Sequence, residues 1–289
     1  MLGAILGDIC GSLWEGGSSR DVAFEMFGAG SHFTDDTVCL VAIADALLNN
    51  RPVADALRDW CTRYPGMGYG GMFEHWVHSP SKGPYQSFGN GGAMRVAPAA
   101  WLAKSLAEAE YLAFTTASVT HDHPEGLRGA RAIAGAIWFA RQGMSHQAIQ
   151  RACQIRYGYT LGLHVLERAE MNPCGSDAAD TVPIALDCGI QAKSVSDAIH
   201  RAVYIGGDSD TTASMAAAIA EARFGLDAML VEQTLARVPH EMHHVIRALY
   251  ERIGRPMVSA TPAAPDADER PTVKRRFDWL RRWPRFVWS

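Results

Sequence analysis

Two stretches far apart in the chain crowd carboxylates beside hydroxyls: "FTDDT", with Thr34, Asp35 and Asp36, and "GGDSDTT", with Asp208, Asp210, Thr211 and Thr212. A third, "GDICGSLWE", adds Asp8 and Glu15. Packing several carboxylates into one place costs mutual repulsion and desolvation unless a cation joins them. Hard oxygen donors without His or Cys suit Mg²⁺ or Mn²⁺ and argue against zinc or copper. Two such loops, meeting in space, hold a pair of ions with one aspartate bridging, and a pair of ions can polarise a sugar oxygen and position a water. The structural alternative is capping, by Thr34 or Asp35 for the helix that follows and by Ser209 or Asp210 for the alanine-rich helix after it. First-turn carboxylates also interact favourably with the helix macrodipole. A cap needs one oxygen, however, and both motifs bring two carboxylates and a neighbouring hydroxyl.

The elements that position these residues read as helices. "TVCLVAIADALL" (37–48) places Leu40, Ile43, Ala44 and Leu47 on one stripe. "LRGARAIAGAIWFARQG" (127–143) puts Ile133, Ile137 and Ala140 on a face and ends with Gly143 as a C-cap. "VSDAIHRAVYIGG" (195–207) and "TTASMAAAIAEARFG" (211–225) also end in glycine, and the second is built of small residues that let a neighbouring backbone come close. Alternating strand patterns are scarce, so the fold class is all-α. Residues 62–98 break the helical rhythm with Gly, Pro, Ser and aromatic residues and read as a long binding loop. The domain is expected over 1–257. A Pro-rich linker and a basic-aromatic tail, "VKRRFDWLRRWPRFVWS", follow over 258–289; docking of these aromatics on the domain or on a second subunit is favoured over an anionic surface, because Pro284 interrupts an amphipathic helix.

Composition narrows the class. The chain has 289 residues, 48% hydrophobic and 20% charged, and a net charge of -4, which gives no bulk attraction to nucleic acid or to acidic membrane surfaces. Six cysteines (10, 39, 61, 153, 174, 188) form no Cys-x-x-Cys pair, so a reducing, cytoplasmic setting is expected. The start, "MLGAILGDIC", lacks a basic n-region and is interrupted by Asp8, so it reads as a helix of the mature protein. No stretch approaches the roughly 20 apolar residues that span a bilayer.

"GAILGDICGSLWE", "FTDDT", "GNGGAMRVAP", "THDHPEG" and "GGDSDTTASMAAAIAEARFG", in this order, resemble the ADP-ribosylglycohydrolase family, which includes the glycohydrolase that reactivates dinitrogenase reductase. The resemblance covers roughly residues 1–255. It implies a compact, orthogonal multi-helix bundle with a binuclear Mg²⁺ or Mn²⁺ centre in a cleft. Thr34, Asp35 and Asp36 would supply one side of that centre, and Asp208, Asp210 and Thr211 the other, with Asp210 as bridge. Asp8 is expected as a structural partner, and Glu15 as an acid near the metals that serves as ligand or general base, a role open also to Asp35 and Asp36. Asn90, Gly91, Gly92, Ala93 and Met94 match a loop that in relatives contacts the distal ribose and pyrophosphate. Glycine there lets backbone N–H groups approach phosphate oxygens closely. Arg95 is either a phosphate ligand or a buried ion-pair partner; His121 matches a histidine near the cleft, and His123 reads as a structural residue at a helix start.

The activity so implied is metal-dependent release of ADP-ribose from a modified protein side chain. Arginine is favoured, serine or another linkage is open, and a cognate ADP-ribosyltransferase is the expected counterpart. The rival readings are a non-catalytic ADP-ribose-binding or inhibitory protein of the same fold and a two-metal phosphohydrolase. The complete set of oxygen donors disfavours the first, and the GNGGAMR loop the second.

Overall fold

The computed structural model describes residues 1–19, 24–80, 83–171 and 175–259, so the expected tail from residue 260 onward and Cys174 lie outside the described residues. The helices run in the order α1 (Leu2–Gly11), a 3-10 turn (Ser12–Trp14), α2 (Asp35–Asn49), α3 (Val53–Arg63), α4 (Gly71–His78), α5 (Gly91–Met94), α6 (Ala97–Leu102), α7 (Leu106–Ala117), α8 (Pro124–Arg141), α9 (His146–Tyr157), α10 (Val165–Met171), α11 (Ala178–Gln191), α12 (Val195–Ile205), α13 (Ser209–Phe224), α14 (Ala228–Leu235) and α15 (His240–Ile253). Among the described residues the β-type pairings are two isolated bridges, Gly17 with Gly207 and Gly89 with Asp177. The all-α expectation holds. No described helix is long and apolar enough to cross a membrane.

The bundle is organised around α13, against which α1, α8, α11 and α12 pack. Every residue of α13 except Arg223 is buried, and the small side chains read in the sequence allow this close approach. On α1, Gly3, Gly7 and Gly11 recur every four residues and therefore share a face. A Cβ at these positions would lie 2.6 Å from the Ala217 carbonyl oxygen, 2.3 Å from that of Ala213 and 2.5 Å from Asp210 Cα. The two helices run antiparallel, so the last of these contacts places the end of α1 beside the acidic motif at the start of α13. At the other end, Glu221 accepts hydrogen bonds from the Met1 ammonium (2.6 Å) and the Gly3 amide (2.8 Å), satisfying donors at the start of α1.

The helix read at 37–48 begins two residues earlier because Thr34 caps it, its hydroxyl accepting the Asp36 amide at 3.3 Å. The helix read from 127 begins at Pro124, with His123 as the cap; Gln142 takes the C-cap, and Gly143 follows in the left-handed region (φ +70). Ser209 and Asp210 are not caps: Asp208 holds that position without a side-chain cap bond, its carboxylate being engaged elsewhere. The irregular stretch expected at 62–98 contains α4 and α5. α4 forms because Phe73, Trp76 and Val77 recur at helical spacing and are buried together.

Candidate active site

Three acidic segments converge, and hydrogen bonds hold each one. Asp8 on α1 is fully buried and accepts four bonds from the start of α2: the Thr34 amide and hydroxyl (3.0 and 2.8 Å) and the Thr37 amide and hydroxyl (3.1 and 2.5 Å). This clasp fixes the first turn of α2, where Asp35 and Asp36 project. Thr211 on α13 donates its hydroxyl to Asp36 Oδ2 at 2.8 Å, and Asn90 donates its side-chain amide to Asp208 Oδ2, also at 2.8 Å. Glu15 follows the 3-10 turn and is tethered to the second motif by backbone bonds, Gly16 N–H to the Gly207 carbonyl (2.8 Å) and Gly207 N–H to the Gly17 carbonyl (2.9 Å). Gly206 must be glycine here: its φ is +84, and a Cβ would lie 2.4 Å from the Gly17 carbonyl oxygen.

These segments border a cleft of about 690 Å³. Of the residues singled out in the sequence, Glu15, Asp35, Asn90, Gly91, Met94, Arg95, His121, Asp208, Asp210 and Thr211 line it. Thr34, Asp36, Gly92 and Ala93 are buried and do not line it. Gly91 and Gly92 are where α5 presses on His121: a Cβ on Gly91 would be 2.9 Å from the imidazole Nε2, and one on Gly92 3.0 Å from the histidine Cβ. Asn90 occupies the N-cap of α5 without a side-chain cap bond, and its amide instead holds Asp208.

The electrostatics are those of crowded acids. Burial, then the charges of Asp8, Asp208 and Glu15, push Asp35 up to about 8. Asp36 is raised well above the usual carboxylate range by burial and by Asp210, Asp8, Asp35 and Asp208. Asp210 is raised similarly by burial, Asp208, Asp8 and Glu15. Burial also raises Asp8, against the hydrogen bonds from Thr34 and Thr37. His121 is held well below its ordinary value by burial and by the Arg95 charge, so its imidazole is neutral, and the Thr120 hydroxyl lies 2.8 Å from its Nδ1.

The donor set suits a hard divalent cation. Asp36 Oδ1 is buried and has no hydrogen-bond partner among the described residues. The clustered charges raise one another, which a cation between them relieves. As placed, no group of three or more His, Cys, Asp or Glu side chains among the described residues closes around a single ion position.

Arg95 is fully buried and hydrogen-bonds to the Thr116 carbonyl (3.2 Å) and the Thr120 hydroxyl (2.6 Å). It holds the end of α7 against the loop through these groups, where the sequence left open an ion pair or a phosphate contact. His123 accepts the Glu125 amide at 3.2 Å, a structural role. The sequence reading passed over several lining residues. Phe88 lines the cleft with 47% of its surface exposed, and Ser176 and Asp177 lie opposite it, pinned by Asn90 N–H to the Ser176 carbonyl (2.9 Å) and Ala178 N–H to the Phe88 carbonyl (3.0 Å). An aromatic beside a glycine-rich loop was a usable signal for Phe88; nothing local marked 176–177.

The acidic loops at the starts of α2 and α13 thus meet at one cleft of an all-helical bundle. A solved structure of an ADP-ribosylglycohydrolase-related protein complex superposes with a TM-score of 0.65 at 24% identity, covering 87% of this chain and 97% of that one. The chain belongs to the ADP-ribosylglycohydrolase family, whose profile matches residues 1–262. Among similar proteins are ADP-ribosylhydrolase ARH3 of Mus musculus, 25% identical over 307 residues (78% of this chain, 83% of the relative), and that of Danio rerio, 26% identical over 332 residues (87% and 89%).

Proposed function

We propose that the protein is a divalent-metal-dependent ADP-ribosyl hydrolase that removes ADP-ribose from a modified protein side chain, reversing mono-ADP-ribosylation. The observation that carries this reading is the gathering of Asp35, Asp208 and Asp210 at one cleft, with the buried Asp36 behind them and its Oδ1 without a hydrogen-bond partner among the described residues. The relatives that bear the name ADP-ribosylhydrolase support the activity. Thr34, Asp35 and Asp36 would hold one Mg²⁺ or Mn²⁺ ion, and Asp208, Asp210 and Thr211 a second, with Asp210 between them. Such ions supply charge that orients and polarises the sugar hydroxyls.

The protein's own groups account for the rest. Asn90, Gly91, Met94 and His121 face the ribose and pyrophosphate, while Gly92 and Ala93 fix the backbone behind them. Phe88 offers an exposed ring on which a purine can stack. Glu15 is exposed and tethered beside Asp210, and serves as general base. Water oxygen bonds to C1″ as the bond from C1″ to the side-chain nitrogen or oxygen breaks, and the proton taken by Glu15 passes to the leaving group. Asp35 and Asp36 stabilise the positive charge that develops on the sugar. Arginine is the acceptor we favour, with serine and other O-linkages as alternatives. An ADP-ribosyltransferase supplies the modified protein, in a cytoplasmic setting that fits the cysteines among the described residues, which are free and buried.

The test is incubation with mono-ADP-ribosylated arginine, serine and nucleic-acid substrates, each with Mg²⁺, Mn²⁺ or EDTA. Metal-dependent release of ADP-ribose is expected from at least one protein linkage. No release from any substrate would overturn the hydrolase, and binding of ADP-ribose without release would favour a non-catalytic reader.

A further inference from the structure

Gln86 has φ +58, in the left-handed region that residues with a Cβ rarely adopt. The other such non-glycine residue among those described, Asn50, caps a helix, where this conformation is ordinary; Gln86 lies in a loop. One side chain engages it twice: Gln86 N–H donates to Asp122 Oδ1 at 2.7 Å, and the Gln86 side-chain amide donates to Asp122 Oδ2 at 2.5 Å. The turn sends Ser87 inward, where it is 5% exposed, and Phe88 outward into the cleft wall. Beyond it, Phe88 and Asn90 are pinned by backbone bonds to 176–178, and Asn90 reaches Asp208. The far end of the loop is therefore fixed by the main chain, and the near end by Asp122 together with a longer bond from Tyr85 N–H to the Thr120 carbonyl (3.4 Å). Neither Gln86 nor Asp122 lines the cleft.

We propose that Asp122 is a positioning residue: by holding Gln86 in the left-handed conformation it aims the Phe88 ring, and so sets affinity for the ADP-ribose half of the substrate. The inference rests on the function proposed above. Contacts to a part of the substrate remote from the broken bond act on ground state and transition state alike, so their loss raises KM and spares kcat.

Asp122→Ala is expected to raise KM, and the Kd of free ADP-ribose, about tenfold with kcat within about twofold. Asp122→Asn should cost about threefold, because the amide keeps one acceptor oxygen. Adding Gln86→Gly to Asp122→Ala should restore both constants to within about twofold, since glycine adopts this φ unaided. Unchanged KM, a fall confined to kcat, or failure of glycine to rescue would overturn the proposal. Hydrogen exchange separates it from the functional reading: the Gln86–Asn90 amides should exchange about tenfold faster in Asp122→Ala. Unchanged exchange sinks the positioning role, whatever the catalytic assays return. Faster exchange in a protein that neither binds nor cleaves any ADP-ribosyl compound keeps Asp122 as the loop's support but removes its role in affinity, along with the proposed function.

Discussion

Thr211 donates its hydroxyl to Asp36 across 2.8 Å, joining two acidic motifs that lie 175 residues apart. The bond orients the Asp36 carboxylate so that its other oxygen has no hydrogen-bond partner among the described residues. Asp35→Ala, Asp36→Ala and Asp210→Ala are expected to lower ADP-ribose release by about a thousandfold or more while circular dichroism shows a folded chain. Thr211→Val, which removes the hydroxyl that orients Asp36 and is proposed to hold the second ion, should lower it by at least about tenfold. Unchanged turnover in the aspartate variants would show that these acids only cap and brace helices.

Asn90 belongs to the glycine-rich loop, yet its amide reaches Asp208 at 2.8 Å. Its substitution should therefore be felt in metal affinity as well as substrate affinity. Asn90→Asp sets a carboxylate against Asp208, and the Mg²⁺ or Mn²⁺ concentration giving half-maximal activity is expected to rise about 10- to 100-fold, the usual effect of removing a group that orients a ligand. A metal titration that superimposes on wild type would assign Asn90 to substrate alone.

His121 carries a signature in stability. Its folded-state value is depressed by burial and by Arg95, so in the acidic range the unfolded chain binds a proton that the folded protein does not. Stability then falls as pH drops below the unfolded value of about 6.5, by at most about 1.4 kcal/mol per pH unit, and the loss levels off below the folded value. Denaturant melts from pH 7.5 to 5 should show His121→Gln losing less stability on acidification than wild type. Parallel curves would refute a buried neutral imidazole.

The α1–α13 contact leaves no room for a methyl group. Gly7→Ala places a Cβ 2.3 Å from the Ala213 carbonyl oxygen, against backbone that cannot turn aside. A loss of about 1–3 kcal/mol or more is expected, read as a fall of several degrees in Tm. A Tm within one degree of wild type would mean that the two helices do not pack this closely.

The parts of this site legible in the sequence were those written locally. Thr34–Asp36 and Asp208–Thr211 announce themselves because acids and hydroxyls stand side by side, and Gly225 marks the end of α13 by closing its last turn with φ +72. Asp8 was assigned as a structural partner and proves to be the acceptor of four hydrogen bonds. The cap of α13 was misassigned because "DSD" offers several equivalent oxygens, and the arrangement is decided by Asn90, 118 residues away. α4 was hidden by glycines at 66, 68, 70 and 71, which dilute the spacing of Phe73, Trp76 and Val77. Long-range pairings such as these leave no local trace in composition or periodicity.

Because every residue of α1 is buried and its glycine face is matched by α13, the first of the described helices waits for one that is made much later. At ~5–20 residues per second, some 200 residues of synthesis separate them by on the order of 10–40 s. Through that interval the nascent chain carries an unpaired apolar segment, too short at 10 residues to be a stable helix alone, and half of an acidic cradle. Translation therefore acts as a timer on this protein: the acidic cradle is incomplete until α13 has left the ribosome.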